Sequence, residues 1–325
     1  MIGDAAHLPR ISVVIPVYKP NMEYLEATIR SVVDSGVASE AVEIVMVDST
    51  GDRSVLDSVV RRYPFIRHHR NENVGIARNW NRCIEVASCD WVHILHADDL
   101  VLPGYYDELL RAEAQTDISV FVSRFFIIDE LGNVTSVSHL EQKKPGFLDG
   151  APRRIVARNT IQCPSIAVRR DVYRSVGGFN SDLRYVLDWE MWFRISLRYP
   201  MWYVPKPLAC FRMHSMSETP RAKASGESAR DMIKGVRIVS AYAPSYGREA
   251  RQYGAQHILN TAVEFLMVRK WIEAGTQLRL APLCLPQIVL RLSYIRCWIW
   301  VFRIIMKNSI MKIFGPVTSG ASNRP

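Results

Sequence analysis

Asp90-Trp91-Val92-His93-Ile94-Leu95-His96-Ala97-Asp98-Asp99-Leu100-Val101-Leu102-Pro103 is an apolar run that stops abruptly at two adjacent carboxylates. Val, Ile, Leu and Trp packed into so short a run, closed by a polar cluster and a Pro, predict a buried parallel strand; a helix would need more length. In open parallel sheets the carboxyl end of a strand is where ligands bind. Two neighbouring carboxylates there repel unless they share a cation or a proton, and hard divalent ions such as Mg or Mn prefer such oxygen ligands. A diphosphate is the natural third party. The plainer reading is that Asp98 and Asp99 only cap a helix beginning near Pro103.

Upstream, Ile11-Ser12-Val13-Val14-Ile15-Pro16-Val17 predicts a first buried strand, with Asn21 as N-cap of an amphipathic segment over 22–34. A second strand, Val42 to Val47, ends at Asp48-Ser49-Thr50-Gly51-Asp52 and precedes a helical pattern from about Val55 to Arg62. A short strand near Phe65 to His69 leads through Asn73-Val74-Gly75-Ile76-Ala77-Arg78-Asn79 into a helix reaching about Ala87. Four alternations of strand and helix within about 100 residues predict a doubly wound α/β sheet with right-handed crossovers. Neither G-x-G-x-x-G after the first strand nor G-x-x-x-x-G-K-[ST] anywhere is present, which disfavours a dehydrogenase and a P-loop NTPase. The strand ends offer instead an aromatic ring (Tyr18), an acid (Asp48) and a cation (Arg78), which suit a base, a ribose or base N–H or O–H, and a phosphate. Singly, each has an ordinary alternative in packing, capping or solvation.

Length and composition bound the rest. The 325 residues, 48% of them apolar, suffice for one large α/β domain plus an appendage. Six cysteines without C-x-x-C spacing, and no secretory leader ahead of the first strand, lead to the expectation of reduced thiols in a cytoplasmic chain. The formal charge of +9 is unevenly spread: after Glu273 there is no acid, while Arg279, Arg291, Arg296, Arg303, Lys307, Lys312 and Arg324 follow. Those 7 cations leave 9 − 7 = +2 for residues 1–273, so the basicity belongs to an appendage. With no base-reading motif beside it, nucleic acid is not the expected partner.

Val13-Val14-Ile15-Pro16-Val17-Tyr18, Glu43-Ile44-Val45-Met46-Val47-Asp48, Asn73-x-Gly75-x-Ala77-Arg78-Asn79 and His96-Ala97-Asp98-Asp99 together resemble, in order and approximate spacing, the inverting glycosyltransferase family 2. The resemblance implies a GT-A type fold, Rossmann-like with a mostly parallel sheet and helices on both faces, binding a nucleotide-sugar donor. Two departures stand out: Ser49 occupies the place of the family's second acid after strand two, and His96 that of the first acid of its D-x-D-D run. Farther on, a strand-like segment (Ile118 to Ile128) and a turn at Glu130-Leu131-Gly132-Asn133 open an acceptor half, and residues 140–153 read as loop. The strand and short helix of Cys163 to Tyr173, Gly177-Gly178-Phe179 and Tyr185-Val186-Leu187-Asp188-Trp189-Glu190 resemble the family's second signature, and Arg212-Met213-His214 its closing R-x-H.

What the resemblance implies for the site is then specific. Asp188 is the general base, with Trp189, Glu190 and Gly178 at the acceptor. Glu190 lies about 200° round a helix from Asp188, so the two cannot address one hydroxyl. Pro16, Tyr18, Asp48, Arg78, Asp98 and Arg212 hold the donor, UDP by family habit, and Asp99 and His214 hold a divalent metal, Mn or Mg. The acceptor is a glycan or lipid-linked hydroxyl in bacterial surface polysaccharide synthesis. An inactive sugar-nucleotide-binding or scaffold protein of the same fold is the competing expectation, motivated by His96 and Ser49.

The resemblance covers roughly residues 11–217, a catalytic domain 1–217 divided at about 115 into nucleotide-sugar and acceptor halves. Residues 218–235 read as a lid or linker, and 236–325 as a basic helical region. There Arg296, Arg303 and Lys307 fall within about 40° of one another at 100° per residue, set against an apolar face that includes Trp298 and Ile305. The six uncharged residues 297–302 are far short of the ~20 that span a bilayer. The expectation is a peripheral helix on an anionic membrane surface, at the inner face of the cell membrane, with a core or oligomer contact as the alternative.

Overall fold

The structure, a computed structural model, describes residues 10–37, 41–52, 54–73, 75–215, 218–291 and 293–302. Arg303 and Lys307 of the cationic stripe lie outside them. Chain contacts divide the protein into two units, residues 1–217 and 218–325.

In the first unit, β1 (Ile11–Val17), α1 (Met22–Val33), β2 (Val42–Asp48), α2 (Asp57–Arg62), β3 (Arg67–Arg70), α3 (Ile76–Val86) and β4 (Trp91–Ile94) alternate as their apolar periods require. Asn21 caps α1, its Oδ1 accepting from the backbone N–H of Glu23 at 2.9 Å and Tyr24 at 3.2 Å. The four strands are parallel, in the order β3-β2-β1-β4. Pro16 is tolerated in this central strand because β4 pairs only with Ile11 to Val14, and the last bond on that side runs from Leu95 N–H to Val14 O.

A short β5 (Leu100–Val101) and α4 (Tyr105–Gln115) follow, then β6 (Val120–Ile128), β7 (Val134–Val137), β8 (Gly146–Phe147), α5 (Ala151–Ala157), β9 (Ile166–Arg169), α6 (Arg170–Val176), α7 (Leu187–Ser196) and β10 (Trp202–Arg212). The sheet continues β4-β9-β6-β10-β5, with β9 antiparallel to both neighbours and β10 parallel to β6. The sheet is therefore parallel over its first four strands and mixed beyond them. The stretch expected as loop over 140–153 contains β8 and the start of α5, both too short for a periodic signal.

The second unit is helical: α8 (Glu218–Ala224), α9 (Glu227–Tyr242), α10 (Gly247–Met267) and α11 (Trp271–Leu280), with residues 293–302 also helical. Residues 218–235, expected as lid or linker, are thus α8 and much of α9. Their charge hides a spaced set of buried small and apolar positions, Ser228, Ala229, Met232, Ile233 and Val236. A Cβ at Gly254 would lie 2.7 Å from Val236, so α9 and α10 approach closely at that glycine.

At the amino end of the parallel sheet, Glu43 on β2 ties three strands together. It accepts from Ser12 Oγ on β1, from Arg67 of β3 at 2.6 Å and from Ser88 N–H ahead of β4 at 2.8 Å. Burial alone would raise its carboxyl, but these donors outweigh it and hold it at about 2. A carboxylate whose folded value is depressed stabilises the fold above its unfolded value near 4.5, and the contribution fades as pH falls toward 2. Urea unfolding should therefore show Glu43→Gln less stable than the parent by roughly 3 kcal/mol at pH 6 and by about half that at pH 3. A difference independent of pH would mean that the donors do not hold the charged form.

Candidate active site

The parallel strands end where the sequence places its polar clusters. Asp48 closes β2 in register with Val17 of β1 and Arg70 of β3. It is buried, accepting from Thr50 N–H at 2.8 Å and facing His68 Nε2 at 3.3 Å. His68 thus belongs to this corner. Ser49, in the place of a second acid, is buried and donates to Asn79 Oδ1 at 2.9 Å; Asn71 Nδ2 donates to the same oxygen at 3.1 Å. Tyr18 is 46% exposed at the end of β1, and Arg78 is exposed in the first turn of α3. Both are open to a ligand.

Asp98 and Asp99 sit in the turn between β4 and β5, and they do not cap α4, whose N-cap is Gly104 without a side-chain bond. The two carboxylates face different surroundings. Asp99 is fully buried: one oxygen accepts from the Arg212 backbone N–H at 2.9 Å, and the other lies 3.3 Å from His96 Nδ1. Burial and the Asp98 charge push its carboxyl up to about 6 against the pull of His96 and the Arg212 N–H. Asp98 is partly exposed and receives His214 Nε2 at 2.9 Å. Burial opposes its ionisation, but His214 and His96 win and keep it below the usual carboxylate range. Its hydrogen bond in turn raises His214.

This geometry revises two readings. His214, expected with Asp99 at a metal, is hydrogen-bonded to Asp98, the more exposed of the two acids. Arg212 is 6% exposed, and its guanidinium donates to the carbonyls of Asp98 at 2.9 Å and Asp129 at 3.1 Å while lying over the Tyr24 ring. These bonds hold the loops that frame the turn.

A cation test can be made on these residues. His96, Asp98 and Asp99 each offer a ligand atom, all within 4.8 Å of one another, and among the described residues the buried Asp99 Oδ2 and His96 Nε2 have no hydrogen-bond partner. Oxygen and imidazole donors of this kind suit a divalent ion. His96 is no vestige: its ring lies 4.8 Å from Trp80, and burial, which lowers its basicity, is outweighed by Cys163 and Asp99.

Asp188 lies in the first turn of α7, whose N-cap is Val186, so Asp188 is not the cap. Its Oδ1 accepts from Trp189 N–H at 2.7 Å and its Oδ2 from Asn159 Nδ2 at 3.0 Å. Burial raises its carboxyl, opposed by these bonds and by the charge of His96. The charge of His96 favours ionisation of Asp98, Asp99 and Asp188 alike.

The remaining acceptor expectations are corrected. Glu190 is 2% exposed and forms a two-pronged pair with Arg194, both contacts at 2.9 Å. Arg194 then donates to the carbonyls of Val176, Gly177 and Gly178. Trp189 is fully buried and donates to Ile155 O at 2.9 Å. Gly178 is needed for close approach: a Cβ there would lie 2.4 Å from Asn81 Oδ1, which accepts from Phe179 N–H. All three residues, expected at the acceptor, are engaged within the protein itself. Asn159 and Asn81 carry no sequence signal; the Glu190 to Arg194 spacing, i to i+4 on a helix, does.

Comparison with known proteins places the chain in a family. The family profile described as glycosyl transferase family 2 matches residues 12–177. The uncharacterized protein MT1568 of Mycobacterium tuberculosis is 29% identical over 252 residues, covering 70% of this chain and 77% of that one. An uncharacterized glycosyltransferase of Methanocaldococcus jannaschii is 24% identical, covering 60% and 67%. Among solved structures, Staphylococcus aureus TarS 1-349 in complex with UDP superposes with a TM-score of 0.61 at 14% identity over 92% of each chain. The crystal structure of TarS matches at 0.62 and 13% identity, covering 86% of this chain and 50% of that one. The likeness to TarS is one of fold. With its profile match spanning half the sequence across the strand ends just described, this chain belongs to glycosyltransferase family 2.

Proposed function

We propose that the protein is an inverting glycosyltransferase that moves a sugar from a UDP-sugar or a similar nucleotide-diphosphate donor to a hydroxyl of a glycan or lipid-linked acceptor, in bacterial surface polysaccharide synthesis at an anionic membrane surface. The carrying observation is the gathering of Asp98, paired with His214, and Asp188, paired with Asn159, around His96. TarS has been crystallised with UDP and with UDP-GlcNAc, which motivates the choice of donor. Tyr18 and Asp48 address the nucleoside, and the exposed guanidinium of Arg78 addresses the diphosphate. Asp98 and His214, with Asp99 and His96 behind them, would hold a divalent cation, Mn or Mg, whose charge offsets that of the departing diphosphate.

Asp188 supplies the proton chemistry. As the acceptor oxygen attacks the anomeric carbon, the Asp188 carboxylate takes its proton, and the bond to the diphosphate oxygen breaks on the opposite face, so configuration inverts. A buried carboxyl with raised affinity for protons is a better base than an exposed one, provided it is ionised at working pH. The inactive-scaffold alternative retains donor binding without turnover, and the assays below separate the two.

Calorimetric titration with Mn alone, then with UDP in the presence of Mn or EDTA, should show binding that needs the cation, and Asp98→Asn should weaken it by at least about tenfold. Equal UDP affinity in EDTA would remove the metal from the reading. Asp188→Asn should lower kcat by roughly 10²–10⁴ with donor affinity and Tm nearly unchanged, and the acid limb of the parent's pH–rate profile should lie above the ordinary carboxylate value. Donor binding without hydrolysis or transfer in the parent, across a panel of nucleotide sugars and acceptors, would favour the scaffold.

A further inference from the structure

The second unit exposes apolar side chains along one edge. α10 ends at Met267 with Val268 as its C-cap, and the turn to α11 is closed by Arg269 N–H to Leu266 O at 3.1 Å and Lys270 N–H to Phe265 O at 2.8 Å, with Arg269 at φ +60°. This tight turn leaves Met267 75%, Val268 63% and Ile272 85% exposed. The ring of Trp271 meets that of Trp300 at 6.4 Å, which brings the helical residues 293–302 to the same edge. In that helix Tyr294, Cys297 and Val301 are buried, while Ile295, Ile299 and Phe302 stand exposed at i, i+4 and i+7. A helix apolar on both faces is not built for water on either. Exposed Arg269, Lys270 and Arg296 rim the edge; of the nearby acids, Glu264 is paired with Lys223 at 2.7 Å, and Glu273 sits half-buried in the first turn of α11.

We infer that this edge, the α10–α11 turn together with the outer face of 293–302, is the surface that enters an anionic lipid interface. The inference rests on the membrane reading above and moves the contact from the tail's cationic stripe to an apolar wedge ahead of it. Lipid fits the chemistry better than a second copy of the chain. A two-fold contact would set the rim of Arg269, Lys270 and Arg296 against itself, whereas a bilayer offers acyl chains to the wedge and anionic headgroups to the rim. No helix among the described residues is long and apolar enough to cross a membrane, so the wedge would insert from one side.

The test uses the full chain and sonicated vesicles of phosphatidylcholine with or without phosphatidylserine. The parent should cosediment with phosphatidylserine vesicles, less so as salt rises. The double variant Met267→Gln/Ile272→Gln, which removes apolar surface at two exposed positions without changing charge, should partition at least about tenfold more weakly at unchanged Tm and oligomeric state. Parent-like binding by the double variant would overturn the wedge while leaving a membrane role to the tail. A parent that ignores anionic vesicles would overturn the membrane reading itself. A parent that is dimeric where the variant is monomeric would assign the edge to a second copy and overturn the lipid.

Discussion

The bond from the Arg212 backbone N–H to the buried Asp99 carboxylate is the constraint around which the site is arranged. It joins the end of β10 to the turn after β4 across 113 residues of sequence. A carboxylate removed from water without partners would cost several kcal/mol, so its surroundings must supply donors. They do so with the Arg212 N–H on one oxygen, while the other faces His96 as an ion-pair contact at 3.3 Å. Once Asp99 is fixed inward, Asp98 is left facing outward toward His214, and the Arg212 guanidinium falls onto the carbonyls of Asp98 and Asp129. Two adjacent acids thereby acquire different tasks, one holding the fold and the other open to a ligand.

The same separation recurs in α7. Asp188 and Glu190 are two residues apart, and the helix turns them to different sides. Asp188 reaches Asn159 and the site, while Glu190 locks Arg194 against the carbonyls of 176–178. That clamp fixes the glycine pair over which Asn81 packs. The surroundings of Asp188 are therefore held by hydrogen bonding and close packing, which suits the role of base proposed for it. His96 links the two regions, since its charge acts on the acids of the strand turn and on the helix acid together.

The helical unit obeys a different constraint. α9 and α10 approach closely enough to require Gly254, and their buried faces are made of small and aliphatic side chains. Having satisfied that packing, the unit still carries Met267, Val268 and Ile272 at a turn closed by its own backbone bonds. Apolar side chains so exposed, grouped and rimmed by cations mark a surface made for contact.

The sequence by itself determined the alternation of strands and helices in the nucleotide half, because buried parallel strands and capped amphipathic helices leave local patterns: Ile11–Val17, Asn21 before α1 and the polar clusters at strand ends are all periodic or capping signals. It also marked Asp48, Asp98, Asp99, Asp188 and His214, since charged groups beside buried runs stand out. Only the tertiary structure decided what each does. Whether His214 meets Asp98 or Asp99, whether Arg212 faces a ligand or a carbonyl, and whether Glu190 meets solvent or Arg194 depend on contacts between residues far apart or on the rotation of a helix against its neighbours. Burial chooses among such partners, and burial is a property of the packed chain, which no local pattern carries.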